Sequence, residues 1–316
     1  MPASSRIRTL LGPLGLAPAV AVSLLAFGPA AHAAPFPSEP LPADPGMTEL
    51  VAGDFNHDGK KDLLAVQVST GKLFLYPRAN GKGLDTFGQR IEIGSAAWNG
   101  MRNLTVGDFD GDGMDDLVAV KKETGELFLY PGTKGKGLDT LGHRVLIGTG
   151  AWNGMNHLAA DNSDGSRAGL FAVKADTGEL FRYPNTGKPG TDMLGKRVKV
   201  SNRNWNGMNK LVPANGFDAL GGPELIATET KTGKLFLFQP TPGPEGRMFD
   251  GPGIELGAAG WNGISDYAAG DFDGDSQTDL VAVASAPHET GKLYLYSNDG
   301  SSGGFKGRVE IGAGGW

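Results

Sequence analysis

Three short stretches of the chain place oxygen-bearing side chains at alternate positions. They read Asp54-Phe-Asn56-His-Asp58-Gly59-Lys60-Lys-Asp62, Asp108-Phe-Asp110-Gly-Asp112-Gly113-Met114-Asp-Asp116 and Asp271-Phe-Asp273-Gly-Asp275-Ser276-Gln277-Thr-Asp279. Ligand oxygens stand at loop positions 1, 3, 5 and 9. The backbone carbonyl at position 7, from Lys60, Met114 or Gln277, adds one more. A hard cation such as Ca²⁺ takes 6–8 oxygens at ~2.3–2.6 Å, and a short loop converges that many only by curling tightly. Three or four carboxylates within nine residues repel one another unless a cation sits among them. The spacing predicts three calcium sites; the alternative is an acidic turn solvated by water.

A second pattern pairs an aromatic ring with an amide: Trp98-Asn99-Gly100, Trp152-Asn153-Gly154, Trp205-Asn206-Gly207 and Trp261-Asn262-Gly263, with Trp316 alone at the end. A ring beside a two-way hydrogen-bonding amide suits a sugar, which offers an apolar C–H face and a fan of hydroxyls. Trp98, Asn99, Trp152, Asn153, Trp205, Asn206, Trp261, Asn262 and Trp316 are therefore the candidate carbohydrate-binding residues. The competing reading makes the tryptophans blade-packing residues and Asn-Gly a turn. Tyr76, Tyr130, Tyr183, Phe238 and Tyr296 form a second aromatic set, which strand alternation assigns to the core.

Both patterns ride on a repeat. The five tryptophans are spaced 54, 53, 56 and 55 residues apart, and Thr-Gly-Lys/Glu-Leu recurs before each aromatic of the second set. Each unit reads as four short strands. In the second they lie near 104–109, 116–121, 126–130 and 144–147, separated by Gly, Pro or Asp clusters. Four strands per ~50 residues, repeated, is the mark of a propeller blade. The chain is expected to be all-β: a five-bladed β-propeller of four-stranded antiparallel blades. The repeats fall at 46–98, 99–152, 153–205, 206–261 and 262–316. Pro45-Gly46-Met47 supplies the half-corner that Trp316 lacks, so the N- and C-terminal segments are expected to close the ring. Copies three and four have lost the acidic pattern, aligning Asp161, Ser163, Gly165 and Gly169, and Gly216, Asp218, Leu220 and Glu224, to the ligand positions. No tight calcium site is expected there.

The acidic loops, with Gly-Asp-Phe before them and Asp-Leu-Val-Ala-Val after them at 116–120 and 279–283, resemble FG-GAP/VCBS repeats. Such repeats build integrin-type propellers and secreted propeller lectins. The Trp-Asn-Gly-Met corner and the five-fold count resemble the tachylectin-type five-bladed lectins. The resemblance implies structural calcium, sugar sites between neighbouring blades and N-acetylated or other cell-surface glycans as ligands. Pro45 stands where that corner carries Asn.

Composition narrows the classes. With 51 glycines, 20 prolines and 39% hydrophobic residues, the chain is turn-rich but able to bury cores. No cysteine means no disulfide scaffold, thiolate metal site or cysteine nucleophile. A net charge of −6 recommends no nucleic-acid partner. Arg6, Arg8, the apolar stretch 14–27 and Ala31-His32-Ala33 read as a secretory signal over 1–33. Residues 34–45 form a Pro-rich lead-in, and no membrane span is expected after it. The histidines His57, His143, His157 and His288 sit at different repeat positions without a nucleophile, so no enzyme is expected. The expected function is a secreted, calcium-stabilised, multivalent lectin. The alternative is a non-catalytic protein-binding propeller, a subunit or targeting scaffold of a secreted complex.

Overall fold

The computed structural model describes residues 46–163, 167–217, 222–241, 243, 248–301 and 304–316. The expected signal and lead-in, 1–45, lie outside the described residues, as do Gly165, Asp218 and Leu220. Twenty strands form five four-stranded antiparallel sheets, each a meander of consecutive strands. Blade 1 holds β1 (Met47–Gly53), β2 (Asp62–Gln67), β3 (Lys72–Tyr76) and β4 (Ile91–Gly94). Blade 2 holds β5 (Met101–Gly107), β6 (Asp116–Lys121), β7 (Leu127–Tyr130) and β8 (Val145–Gly148). Blade 3 holds β9 (Met155–Asp161), β10 (Gly169–Lys174), β11 (Leu180–Tyr183) and β12 (Val198–Ser201). Blade 4 holds β13 (Met208–Pro213), β14 (Leu225–Glu229), β15 (Lys234–Phe238) and β16 (Ile254–Gly257). Blade 5 holds β17 (Ile264–Gly270), β18 (Asp279–Ala284), β19 (Lys292–Asn298) and β20 (Phe305–Gly312). The first strands neighbour one another in a closed circuit, β1–β5–β9–β13–β17–β1. This is the expected five-bladed propeller. No helix among the described residues is long and apolar enough to cross a membrane.

The second strand of each blade is buried on both faces, which is why it reads as an unbroken apolar run such as Leu63-Leu64-Ala65-Val66. Hydrophobic burial is organised between blades. One cluster joins Val51, Leu64 and Leu75 to Met101, Val106 and Leu117. Four equivalent clusters fill the other junctions, including the one from blade 5 back to blade 1. The Thr-Gly hairpins repeat because the turn needs a left-handed residue: Gly71, Gly125, Gly178, Gly233 and Gly291 have φ between 65° and 74°.

Edges are covered as natural sheets require. The turn Gly83–Asp85 lies along β20, Gly137–Asp139 along β4 and Gly190–Asp192 along β8. Over β12 the backbone amides of Met248 and Phe249 donate to the carbonyl of Val200 instead.

The split corner closes as the sequence predicts. Trp316 N donates to Gly291 O at 3.1 Å, as Trp98 N does to Gly71 O at 2.9 Å. Gly46 O accepts from Val68 N at 3.2 Å, as Gly100 O does from Lys122 N at 2.9 Å. Gly46 N completes the join, donating to Trp316 O at 3.1 Å. Gly46 thus stands after Trp316 in space as Gly100 stands after Trp98 in sequence. Truncating a buried ring of this kind costs about 3–5 kcal/mol. Trp316→Ala should therefore lower the melting temperature by roughly 6–20 °C, at ~2–4 °C per kcal/mol for a domain of this size. A calorimetric shift below ~2 °C would mean that the ring closes without this residue.

Candidate functional site

The three acidic loops follow the first strand of blades 1, 2 and 5 and curl through stacked side-chain-to-amide turns. In the second, Asp108 accepts from Gly111 N (2.6 Å) and Gly113 N (2.9 Å), and Asp110 accepts from Asp112 N (3.1 Å). Asp112 accepts from Met114 N (2.9 Å), and Asp116 from Phe109 N (2.8 Å) and Gly132 N (2.8 Å). The fifth-blade loop repeats this, with Asp271 on Gly274 N and Ser276 N and Asp279 on Phe272 N and Asn298 N. In the first, Asp54 accepts from Asp58 N and Gly59 N, Asn56 from Asp58 N, and Asp58 from Lys60 N. The apolar second residue of each loop, Phe55, Phe109 or Phe272, is buried and anchors it.

Carboxylate oxygens of Asp108, Asp110 and Asp116 lie within 4.8 Å of one another, as do those of Asp271, Asp273 and Asp279. These two buried acidic clusters can hold a metal ion. In the first loop Asn56 takes the place of one acid, and its Nδ2 donates to Asp62 at 3.3 Å. Burial holds the carboxyl groups of Asp62, Asp116 and Asp279 far above the usual carboxylate value, at about 6, about 7 and about 6. Asp110 is also raised, by burial and then by Asp112.

Blades 3 and 4 solve the same local problem without an acidic loop. Strand pairing puts Asp161 opposite Gly169, as Gly107 lies opposite Asp116. Asp161 therefore sits one position earlier than the sequence alignment placed it. Its buried carboxylate meets the Arg182 guanidinium, a cation carried by the chain itself. In blade 4, Glu224 accepts from Phe217 N at 2.8 Å, the bond that Asp116 makes to Phe109 N.

The loops also tie each blade to the next. Arg78 of blade 1 donates to Phe272 O (2.9 Å), and Asn185 of blade 3 to Phe109 O (2.8 Å). Asp54 N of blade 1 donates to Asp115 of blade 2 at 2.7 Å.

All five corner tryptophans are buried and each packs on the second aromatic set of the following blade. Trp98–Tyr130, Trp152–Tyr183, Trp205–Phe238, Trp261–Tyr296 and Trp316–Tyr76 have centroids 4.7, 5.0, 4.8, 4.9 and 4.4 Å apart. They differ in what they leave open. Trp98, Trp152 and Trp316 keep 7%, 9% and 8% of their surface exposed, against 0% and 1% for Trp205 and Trp261. Phe249 lies beside Trp205 and Phe305 beside Trp261, each ring at 6.3 Å. At the third corner Ser201 replaces the glycine of the other copies and bonds to Phe249 O. Arg203, whose guanidinium lies 4.9 Å over Phe238, adds to that filling.

Between blades 1 and 2 a cleft of 650 Å³ opens at the corner. Trp98 and Tyr130 line it, with Ala96 at its side and Lys121, Glu123 and Arg144 as its polar groups. Arg144 lies 4.5 Å over the Phe128 ring, and Arg90, Arg197 and Arg308 repeat that stacking in blades 1, 3 and 5. Sequence reasoning assigned Tyr130 to the core and passed over Arg144. The signal was present in the constant 14-residue step from Tyr76, Tyr130 and Tyr183 to Arg90, Arg144 and Arg197.

The corner asparagines are exposed. Asn153, Asn206 and Asn262 donate Nδ2 to the carbonyls of Lys122, Ala175 and Thr230 at 3.0, 2.7 and 2.9 Å. Those amide N–H groups are already engaged in holding the hairpins.

Residues 54–119 match the FG-GAP-like repeat. The stretch runs from the first acidic loop through the second, and bears out the resemblance those loops carry. No curated protein sequence matches the chain. Among solved structures, AofleA from Arthrobotrys oligospora aligns at 11% identity and a TM-score of 0.45, covering 85% of this chain and 73% of that one. A chain of the TcdB2-TccC3-Cdc42 structure aligns at 14% identity and a TM-score of 0.40, covering 80% of this chain and 15% of that one.

Buried carboxyl groups with raised pKa values fix a sign. From the raised carboxyl groups of Asp62, Asp116 and Asp279 alone, stability falls as pH rises through about 4 to 7, because the folded state holds protons that the unfolded chain releases. A bound cation requires the ionised form, so protons compete with it. The rise in melting temperature given by saturating divalent cation should therefore grow from pH 5 to pH 8. An increment that stays flat or shrinks over that range would show that these carboxylates hold no metal.

Proposed function

We propose that this protein is a secreted, calcium-stabilised, multivalent carbohydrate-binding protein whose sugar sites are the junctions between blades. The cleft at Trp98 and Tyr130 carries this reading. It sets aromatic surface beside a cation and an acid in a cleft of a size that ligand sites commonly have. A sugar's C–H face packs on the exposed ring edges, and its hydroxyls accept from Arg144 and Lys121 and donate to Glu123. N-acetylated hexosamines suit such a site, because the acetyl methyl needs apolar contact and the amide needs a partner. The open tryptophan edges at the 5–1, 1–2 and 2–3 junctions support three sites. No group in the cleft pairs a nucleophile with a base, so the reading is of binding without catalysis.

The acidic loops take structural Ca²⁺ in this reading. They offer only oxygen donors, and none of their residues lines the Trp98 cleft. A second reading, a protein-binding subunit or targeting scaffold, is favoured by one observation. Leu84 and Leu138, 59% and 58% exposed, stand on the perimeter turns of blades 1 and 2.

The protein from Ala34 onward should bind one glycan class on a broad array in calcium and lose binding in EDTA. Ala96→Arg copies the arginine that fills the blade 3–4 corner and places it in the open 1–2 cleft. Calorimetric stoichiometry should fall by one site while the melting temperature stays within ~2 °C, since exposed substitutions act within about ±0.5 kcal/mol. Full stoichiometry in this variant would remove the cleft as a sugar site. An array blank with folded protein would shift the assignment to the perimeter and a protein partner.

A further inference from the structure

The mouth of the ring at its axis has a composition that the corners do not explain. Each innermost strand sends its third residue there: Glu49, Asn103, His157, Lys210 and Asp266. The flanking positions are apolar in every copy. Met47, Met101, Met155, Met208 and Ile264 lie two residues before, and Leu50, Leu104, Leu158, Leu211 and Tyr267 follow directly. All ten are buried. The fold therefore fixes its neighbours but leaves this position free, and five copies fill it with five different polar residues.

Each of the five strands bulges here, with register shifts at Thr48/Val51, Arg102/Thr105, Val173/Lys174, Met208/Leu211 and Ile264/Asp266. A bulge re-aims side chains at sheet edges and beside sites. The result is a cup of 240 Å³. Beneath it the innermost strands narrow the axis to a space of 30 Å³. The cup's volume lies below the roughly 300–1,000 Å³ of sites for drug-sized ligands.

Charge inside the cup is unbalanced. Asp266 is spoken for: Lys210 Nζ pairs with it, and it accepts from Leu50 N (3.0 Å) and Tyr267 N (2.8 Å). Lys210 also donates to Leu50 O at 3.0 Å. His157 is held neutral by burial, with Nε2 donating to Met208 O at 3.1 Å. Glu49 is different. Its one hydrogen bond comes from Leu104 N at 3.1 Å, and among the described residues it joins no ion pair. Its backbone is left-handed at φ 56°, a strained state for a glutamate. Burial and then Asp266 push its carboxyl up, while Lys210 and Lys122 offset this from beyond pairing distance.

We propose that the axial cup is a second ligand site, which takes a small ligand bearing a protonated primary amine, held by the Glu49 carboxylate. The ammonium supplies the missing counter-charge. Its N–H groups match the acceptors at hand, the Glu49 carboxylate and the Ser265 hydroxyl oxygen, while the Asn103 amide oxygen is taken by Arg102. Bulky or quaternary cations are excluded by size and by the need to donate. The site is independent of the corner clefts, and no corner tryptophan lines it.

The test is an amide-resonance titration of the full protein with n-butylammonium chloride, using n-butanol as the neutral isostere. Butylammonium should shift the resonances of Glu49, Asn103, His157, Lys210 and Asp266 saturably, and butanol should not. Glu49→Gln should weaken binding roughly tenfold or more. Asn209→Trp narrows the cup from its exposed rim, leaves Glu49 untouched and should do the same; it decides the matter if Glu49→Gln does not fold. Glycan binding should be unchanged in both variants. Equal binding of butanol, or undiminished binding in a folded Glu49→Gln variant, would overturn the proposal. So would Ca²⁺, and not the amine, shifting these resonances.

Discussion

A propeller blade can bury its two faces only against its neighbours. Every hydrophobic cluster in this protein spans two blades, so a blade at an open end would expose one whole face. Burial is worth about 25 cal/mol per Å² of apolar surface, so five cooperating junctions form together or leave a large penalty at the gap. The contact of Trp316 with Tyr76 and Gly46 is therefore a condition on the whole ring rather than a local ornament. Among the described residues no strand is exchanged between blade 5 and blade 1. Closure rests on side-chain packing, one repeated pattern of backbone bonds and the side-chain bonds from Arg78 to Phe272 O and from Leu50 N to Asp266.

Much of this was legible because the constraint repeats. Burial on both faces forces apolar second strands, and left-handed hairpins force glycine. Both recur with the 53–56-residue period that the tryptophans mark. The strand bounds of blade 2 moved by no more than three residues, and its second strand not at all. Its first strand starts at Met101 rather than near 104, because the Trp-Asn-Gly corner is one tight turn and the chain extends at once after it.

What was not legible depends on partners distant in sequence. Trp98 and Trp205 look alike in sequence, and their exposure differs because Phe249 and Arg203 close one junction and leave the other open. Asp161 aligned in sequence with loop position one of a copy expected to hold no calcium, and strand pairing sets it one residue earlier against Arg182. Glu49, His157, Lys210 and Asp266 sit in four different repeats and carry no motif. Only the ring geometry, with a bulge in each first strand, assembles them.

The acidic loops and the open tryptophan edges fall on the same junctions. Loops of blades 5, 1 and 2 reach across to blades 1, 2 and 3, and those are the junctions whose tryptophan edges are open. Blades 3 and 4 lack the acidic pattern, and their junctions are filled by Phe249 and Phe305. The pairing has a physical reason. Leaving a cleft open forfeits apolar burial at that junction, and a cation bound only by the folded state returns about 2.7 kcal/mol at a hundredfold excess over its Kd. An aromatic plug offsets the same loss without a cation but leaves no room for a ligand. A cation held by these loops would add its stability at the same junctions that leave their tryptophan edges open.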